Sequence, residues 1–143
     1  MTDSPPTLRG VSDLRAFFRT HETPVYFISP TAFNLLGIDR WVRNFHYVTY
    51  FDSFEGGHPN VFVPKEREAR NFRSIEDICN YLLGHAEVTD WVRSHGPNGK
   101  AVFVMFDEET QVLAADAGLQ VAHPPRHHRA PRPHSVSRRL GRQ

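Results

Sequence analysis

Short apolar runs alternate with segments of helical spacing along this chain of 143 residues. In the clearest case, residues 100–124, the apolar run 101–106 follows a Pro-Asn-Gly turn. A run rich in Val and Phe without polar alternation is typical of a strand buried on both faces. Asp107 then predicts a helix N-cap, and Gly118 predicts the residue after the helix. A second short strand at 119–122 completes a predicted βαβ unit, which implies a parallel sheet.

The same alternation occurs earlier in the chain. Runs of aromatic and β-branched residues predict further strands at 25–28, 45–51 and 61–63. Ser29 and Pro30 have the residue types of an N-cap and a first helical position. We therefore expect a helix from Ser29 to about Leu36, stopped by Gly37.

Three other stretches show the spacing of amphipathic helices, and one of them begins with a capping-box-like pair, Ser74 and Asp77. The side chains predicted to be buried are Val11, Leu14 and Phe18 in a helix at 12–19, Ile75, Ile78, Cys79 and Leu82 in the helix after Ser74, and Val88, Trp91 and Val92 in a helix at 87–94. Strands alternating with helices predict an α/β domain over 11–124, with a Rossmann-like parallel sheet, flanking helices and a flexible segment at 1–10.

Composition places the chain among globular proteins, with 39% apolar and 12% aromatic residues. The single cysteine, Cys79, cannot form an internal disulfide and fits a reducing, cytoplasmic setting. We expect no secretion signal at the N-terminus, which lacks a basic and an apolar region. No apolar run approaches the roughly 20 residues that a membrane span needs, so no membrane partner is expected.

The net charge of +1 conceals two different regions. Residues 1–122 carry eleven Lys and Arg against sixteen Asp and Glu, a net of −5, whereas residues 123–143 carry six Arg and no acid, a net of +6. The tail is also rich in His and Pro, so we predict disorder over 125–143. Its histidines could bind metal weakly, but the prolines prevent the helix that their spacing would need.

Polar residues follow several predicted strands, where a parallel sheet usually places its ligands. Asp107, Glu108 and Glu109 could hold a metal or orient a cationic substrate, although capping the helix explains them more simply. Gly56 and Gly57 precede a strand rather than a helix, so we interpret them as a turn and not as a phosphate loop. The candidate substrate-binding residues are Ser29, Thr31, Asp52, Glu55, Asp107 and Glu108.

Two motifs, FDSFEGGHP at 51–59 and VMFDEET at 104–110, resemble the N-terminal region of actinobacterial ATP-grasp proteins commonly labelled biotin carboxylase. The resemblance extends over roughly residues 8–125 and is generic outside these motifs. In such proteins a Rossmann-like pre-ATP-grasp domain precedes the ATP-grasp domain. The resemblance implies the substrate-side domain of a biotin-carboxylase-like or carboxylate–amine ligase. The resemblance implies ATP and Mg²⁺ for the full-length relative. For this chain it implies no cofactor, no metal ligand and no catalytic residue.

The segment GLQVAHPP at 118–125 resembles the point where those proteins pass toward a lysine-bearing segment that begins the ATP site. After Pro125 this sequence has no lysine, no Gly-rich lid loop and no acidic Mg²⁺ ligands. We therefore expect the product of a truncated or frameshifted gene, inactive alone. Its partner would be the ATP-grasp domain, and the face left exposed would favour self-association.

Two other classes of function compete with this interpretation. The first is a stand-alone Rossmann-like module that binds a small carboxylate or nucleotide at Ser29, Asp52 and Asp107. The second is a nucleic-acid-associated protein that acts through residues 126–142, since arginine contacts to phosphate give sequence-independent affinity. The net charge of −5 on residues 1–122 disfavours nucleic acid as a partner.

Overall fold

The computed structural model describes residues 7–122, and the predicted disordered tail lies outside them. Within these residues, five strands form one sheet in which every neighbouring pair is parallel. The strands are β1 (Val25–Ser29), β2 (Phe45–Thr49), β3 (Val61–Phe62), β4 (Lys100–Val102) and β5 (Gln120–Val121). Their order across the sheet is β3-β2-β1-β4-β5, which confirms the predicted α/β class with a parallel sheet.

The central strand β1 sets the register of the sheet. Val25 lies opposite Phe45 on β2 and opposite Lys100 on β4, so the three strands begin at one level. Their carboxyl ends therefore open on the same edge. The order of the strands reverses between β1 and β4, which is where open α/β sheets usually bind ligands.

Three of the four helices in the described residues cover one side of the sheet, here called the first face. The helices are α1 (Val11–Thr20), α2 (Ile75–Gly84), α3 (Ala86–Ser94) and α4 (Glu108–Asp116). The buried cluster on the first face combines side chains of β1, β2 and β4 with α2, α3 and α4, among them Tyr26, Ile28, Val48, Leu82, Val88, Ala101 and Ala114. The predicted helices α2, α3 and α4 are confirmed, including the Ser74 cap that accepts the N–H of Asp77 at 3.1 Å.

The opposite side, here called the second face, has a much smaller core of Phe27, Ala32, Phe45 and Tyr47. The crossover from β1 to β2 covers part of it with two short 3₁₀ turns, Phe33–Leu35 and Ile38–Arg40. The Tyr47 hydroxyl fixes these turns by donating to the Leu35 carbonyl at 2.7 Å. None of the helices in residues 7–122 has the length and apolarity needed to cross a bilayer.

The predicted helix from Ser29 to Leu36 is wrong. Ser29 is the last residue of β1 and lies opposite Thr49 of β2, so pairing in the sheet replaces its role as an N-cap. The chain then forms only the two 3₁₀ turns. Gly37 separates them with a φ of +92°, a left-handed conformation that breaks any continuous helix.

Three predictions of burial are also wrong, and one of them concerns Ile75 of α2, which is 37% exposed. Helix α1 buries none of its residues, and Val11 and Leu14 are 67% and 41% exposed. Strand β4 has three residues, and the run predicted as a buried strand continues into the exposed Val104 and Met105. All three departures expose apolar side chains that the sequence pattern assigned to the core.

Candidate functional site

Residues 64–73 form a segment between β3 and α2, here called the arch, which is mostly exposed after the buried Pro64. Its first residues are held by Glu87 of α3, whose carboxylate accepts the N–H groups of Lys65 and Glu66 at 2.8 and 3.2 Å. These two backbone hydrogen bonds lower the pKa of Glu87 below its usual value. His85 contacts the Glu66 carbonyl at 2.6 Å. Side chains of the helices thus fix the backbone of the arch.

Two tyrosines hold the middle of the arch at Glu68. The Tyr50 hydroxyl donates to the Glu68 carbonyl at 2.7 Å, and the Tyr81 hydroxyl accepts the Glu68 N–H at 2.8 Å. The guanidinium of Arg70 lies 4.9 Å from the centre of the Tyr81 ring and 5.2 Å from that of Phe72. An arginine stacked on two rings is restrained in its orientation while its N–H groups remain able to donate.

The arch and helices α2 and α4 border an open crevice, here called the Asn80 crevice. It consists of two adjoining cavities of about 950 and 400 Å³. The residues common to both cavities are Arg70, Asp77, Asn80 and Glu109.

A polar network crosses the apolar contact between α2 and α4 at Asn80. The side-chain oxygen of Asn80 accepts from the buried Thr110 hydroxyl at 2.6 Å, and its amide nitrogen lies 3.3 Å from Asp107 Oδ1 and 3.5 Å from Glu109 Oε2. Asn80 is only 8% exposed, so these bonds satisfy a polar group that would otherwise destabilise the interface. The network holds two carboxylates of α4 beside the crevice.

Asp107 itself is fixed by a capping box at the start of α4. Its carboxylate accepts the backbone N–H of Thr110 at 2.8 Å, and the Thr110 hydroxyl accepts the N–H of Asp107 at 3.1 Å. The hydrogen bond from the backbone N–H of Thr110 is the largest contribution that keeps the pKa of Asp107 below its usual value. The predicted N-cap is therefore confirmed, and the carboxylate is negatively charged at neutral pH.

The loops that follow β1 and β2 meet at the same edge, because the Phe51 N–H donates to the Pro30 carbonyl at 3.1 Å. Ser29 is buried at the end of β1, and Thr31 is partly exposed just beyond it. The carboxylate of Asp52 accepts the N–H groups of Phe54 and Gly56 at 3.3 and 3.2 Å, so it shapes its own loop.

Glu55 and Glu108 are exposed, and the backbone of Glu55 adopts a left-handed φ of +51°. Of the six predicted substrate-binding residues, Asp107 lines the 400 Å³ cavity, and the other five lie outside the Asn80 crevice. The structure thus joins Asp107 to Asn80 and Glu109, and not to Asp52 or Ser29.

Other chemistry in the described residues is limited. Burial raises the pKa of the Cys79 thiol to about 12, with smaller contributions from Glu76 and Asp107, so this cysteine is a core residue and a poor nucleophile. Gly56 and Gly57 form a turn before β3, as predicted. Within residues 7–122 no three His, Cys, Asp or Glu side chains are grouped so that they could hold a metal ion.

Sequence reasoning did not assign Asn80 or Arg70 to a site. A signal for Asn80 was present, since it is the one amide in the apolar stretch ICNYLL of α2. A buried polar residue on a helix face requires a partner, which here comes from α4. No comparable signal marks Arg70, because the arch is held by tertiary contacts that no local pattern encodes.

Comparison of the chain with family models, curated proteins and solved structures found no match.

Proposed function

We propose that this chain is the substrate-side domain of an ATP-dependent ligase of the biotin-carboxylase-like or carboxylate–amine kind, and that it works beside an ATP-grasp domain in the cytoplasm. One observation carries the proposal. The two motifs that resemble the ATP-grasp proteins, at 51–59 and 104–110, follow β2 and β4 and reach the same carboxyl edge of the sheet. They flank the loop after β1, at the point where the strand order reverses.

The proposed division of labour follows from the chemistry of the described residues. The Gly56-Gly57 turn leads into β3 and not into a helix N-terminus, so it does not form a phosphate cradle. We therefore assign ATP and Mg²⁺ to the ATP-grasp domain. The Asn80 crevice, with Arg70 and the carboxylates of α4, would supply the substrate wall, and the chain alone would be inactive.

The second face would receive the ATP-grasp domain. An apolar groove of about 500 Å³ runs between α1 and the ends of β4 and β5, lined by residues such as Phe17, Val102 and Ala122. Ala122 belongs to the segment 118–125, which resembles the passage toward the ATP site in the ATP-grasp proteins. The exposed apolar side chains of α1 would be covered on docking.

The proposal is tested by mixing the chain with an ATP-grasp domain of an actinobacterial biotin-carboxylase-like protein. We expect a one-to-one complex in analytical ultracentrifugation, and phosphate release from ATP only when both parts are present. Leu14→Glu together with Phe17→Glu should abolish the complex, because both side chains belong to the apolar surface of α1. Arg70→Gln on the opposite face should leave it intact. Failure of the unmodified chain to form a complex would contradict the proposal.

A stand-alone small-molecule-binding module is the second candidate function. The Asn80 crevice favours it, since the arch, α2 and α4 of this chain line it together. Ligand binding by the isolated chain, combined with no affinity for an ATP-grasp domain, would select this alternative.

A further inference from the structure

The turn that leads into β4 joins an asparagine directly to a glycine. Asn98 and Gly99 lie between α3 and β4, and Asn98 is exposed to solvent. A backbone nitrogen can attack the side-chain amide of the residue before it, and glycine obstructs this attack least because it has no side chain. Every other asparagine of the sequence precedes a larger residue, which is Leu, Phe, Val or Tyr. The sequence therefore indicates that Asn98 is the most reactive of them.

The fold itself requires both members of this pair. Asn98 has a left-handed φ of +66°, a conformation that asparagine tolerates better than most residues with a side chain. At Gly99 an added Cβ would stand 2.8 Å from atoms of both Leu119 and Tyr26. The reactive pair is therefore a consequence of how the chain enters the sheet at β4.

The two groups that would react are not held by hydrogen bonds. In the part of the chain that the structure describes, neither the side-chain amide of Asn98 nor the N–H of Gly99 has a hydrogen-bond partner. By contrast, Asn44 and Asn60 donate their side-chain amides to oxygen acceptors at 3.0 and 2.9 Å. No hydrogen bond has to break before the side chain of Asn98 turns toward the next peptide nitrogen.

We infer that Asn98 is a site of spontaneous deamidation that produces aspartate and isoaspartate. The nitrogen of Gly99 forms a bond to Cγ of Asn98, the bond from Cγ to Nδ2 breaks, and Nδ2 leaves as ammonia with the proton of the attacking nitrogen. Water then opens the cyclic imide. Hydrolysis at the side-chain carbonyl gives aspartate, and hydrolysis at the main-chain carbonyl gives isoaspartate.

Isoaspartate would disturb the sheet at the start of β4, because the main chain then passes through the former side chain and gains a methylene group. The backbone on either side of this position is fixed. Gly99 accepts the N–H of Gln120 at 3.0 Å, and the N–H of Lys100 donates to Pro24 at 2.9 Å. These bonds join the entry of β4 to the residues next to β1 and β5. The longer main chain cannot keep both bonds and the close packing of Gly99, so the isoaspartate form loses stability.

The test stores the whole chain at mildly alkaline pH and physiological temperature and samples it over several days. Peptide mass spectrometry measures the conversion of amide to acid at each asparagine, and fragmentation distinguishes isoaspartate from aspartate. Asn98 should convert about tenfold faster or more than any other asparagine, because a side chain on the following residue raises the barrier elsewhere. The rate should increase with pH, since the attacking nitrogen loses its proton.

Variants and separated products then measure the consequence. The isoaspartate fraction, isolated by ion exchange, should melt about 3 °C or more below the unmodified chain. Asn98→Asp carries the same new charge without the extra methylene, and before storage it should melt close to the unmodified chain. Asn98→Gly accepts the left-handed φ and has no amide to lose, so its melting temperature should not change during storage.

Three results would overturn the inference: another asparagine converts as fast as Asn98, the isoaspartate fraction melts with the unmodified chain, or Asn98→Gly loses stability equally during storage. The outcome does not depend on the proposed function, because Asn98 lies outside both the Asn80 crevice and the apolar groove beside α1.

Discussion

The two faces of the sheet differ in how completely they are covered. The first face has three helices and a continuous buried cluster, in which Tyr26, Ile28 and Leu82 are fully buried. The second face has two 3₁₀ turns and a helix that buries none of its residues. The helices of this chain therefore cover the first face, whereas the second face leaves large apolar side chains in contact with water.

This difference arises from the crossovers. The connection from β3 to β4 contains α2 and α3, both amphipathic, and they pack against the sheet. The connection from β1 to β2 contains no α-helix, and Gly37 interrupts it with a left-handed φ. A neighbour on the second face would remove apolar surface from water, and this gain is the physical basis for the proposed docking of an ATP-grasp domain.

The largest expected effect separates the two faces directly. Leu82→Ala on the first face should lower the free energy of unfolding by about 2–5 kcal/mol, because it opens a cavity in a fully buried cluster. Leu14→Ala on α1 removes the same atoms at a position that is 41% exposed. Its cost should stay within about 0.5 kcal/mol in urea unfolding. Equal losses for the two variants would contradict the described difference between the faces.

A second prediction concerns the tightness of packing at the edge of the first face. A Cβ at Gly99 would stand 2.8 Å from atoms of both Leu119 and Tyr26. Gly99→Ala should therefore lower the free energy of unfolding by about 1–3 kcal/mol through overpacking. At Gly84, the last residue of α2, no atom lies within 4 Å of the added carbon. Gly84→Ala should leave stability unchanged or raise it, and a loss there equal to that of Gly99→Ala would count against the packing argument.

A third prediction is a pH dependence from His46. Burial lowers the pKa of His46 to about 4, with a contribution from His95, and its Nδ1 has no hydrogen-bond partner. Since the ordinary value is 6.5, the unfolded chain takes up the proton more readily than the folded one. The stabilising contribution is complete above pH 6.5 and is lost as the pH falls toward 4.

The loss assigned to His46 should be about 1–2 kcal/mol, after allowance for partial solvent exposure. His46→Phe removes the titrating group and keeps a ring beside Tyr26 and Trp91. The difference in the free energy of unfolding between the unmodified chain and this variant should therefore depend on pH between 6.5 and 4. Parallel stability curves for the two proteins would show that His46 does not carry the effect.

The smallest expected effect is at the capping box of α4. Asp107→Ala removes the acceptor of the Thr110 N–H and should lower the melting temperature modestly. Because the folded pKa of Asp107 is lowered, its stabilising contribution is present at neutral pH and is lost in acid. Glu108→Ala, in the first turn of α4 with an exposed side chain, is the matched control. An equal decrease in melting temperature for both variants would show that the carboxylates stabilise α4 through the helix dipole and not through the capping hydrogen bond.

The local pattern of apolar and polar residues was sufficient to predict much of the fold. The apolar run at 25–28 and the periodic spacing after Ser74 both predict elements that the structure contains, because neighbouring residues alone decide them. The helix predicted after Ser29 failed because pairing with Thr49 on β2 overrode the local preference of Ser-Pro. The predicted burial of α1 was wrong because amphipathic spacing shows that a helix needs an apolar surface to pack against. It does not show that this chain supplies that surface.

The site was less accessible to sequence reasoning. Asp107 was found because the residue that caps the helix after a parallel strand also lies at a usual ligand position. The sequence analysis grouped Asp52 and Asp107 because both follow strands at one edge of the sheet. In the structure, Asp52 accepts a backbone N–H of its own loop, whereas Asp107 accepts from Asn80 of α2. Contacts between the arch and the helices depend on the assembled fold, so no spacing in the sequence predicts them.

The most direct test of the two-face account is amide hydrogen exchange on this chain with and without an actinobacterial biotin-carboxylase-like ATP-grasp domain. Residues 11–20 should exchange rapidly in the chain alone, since α1 buries none of its residues, and α2 should exchange slowly. Addition of the ATP-grasp domain should slow exchange over 11–20 and leave α2 unchanged. Unchanged exchange over 11–20, or protection confined to α2 and α4, would contradict docking on the second face.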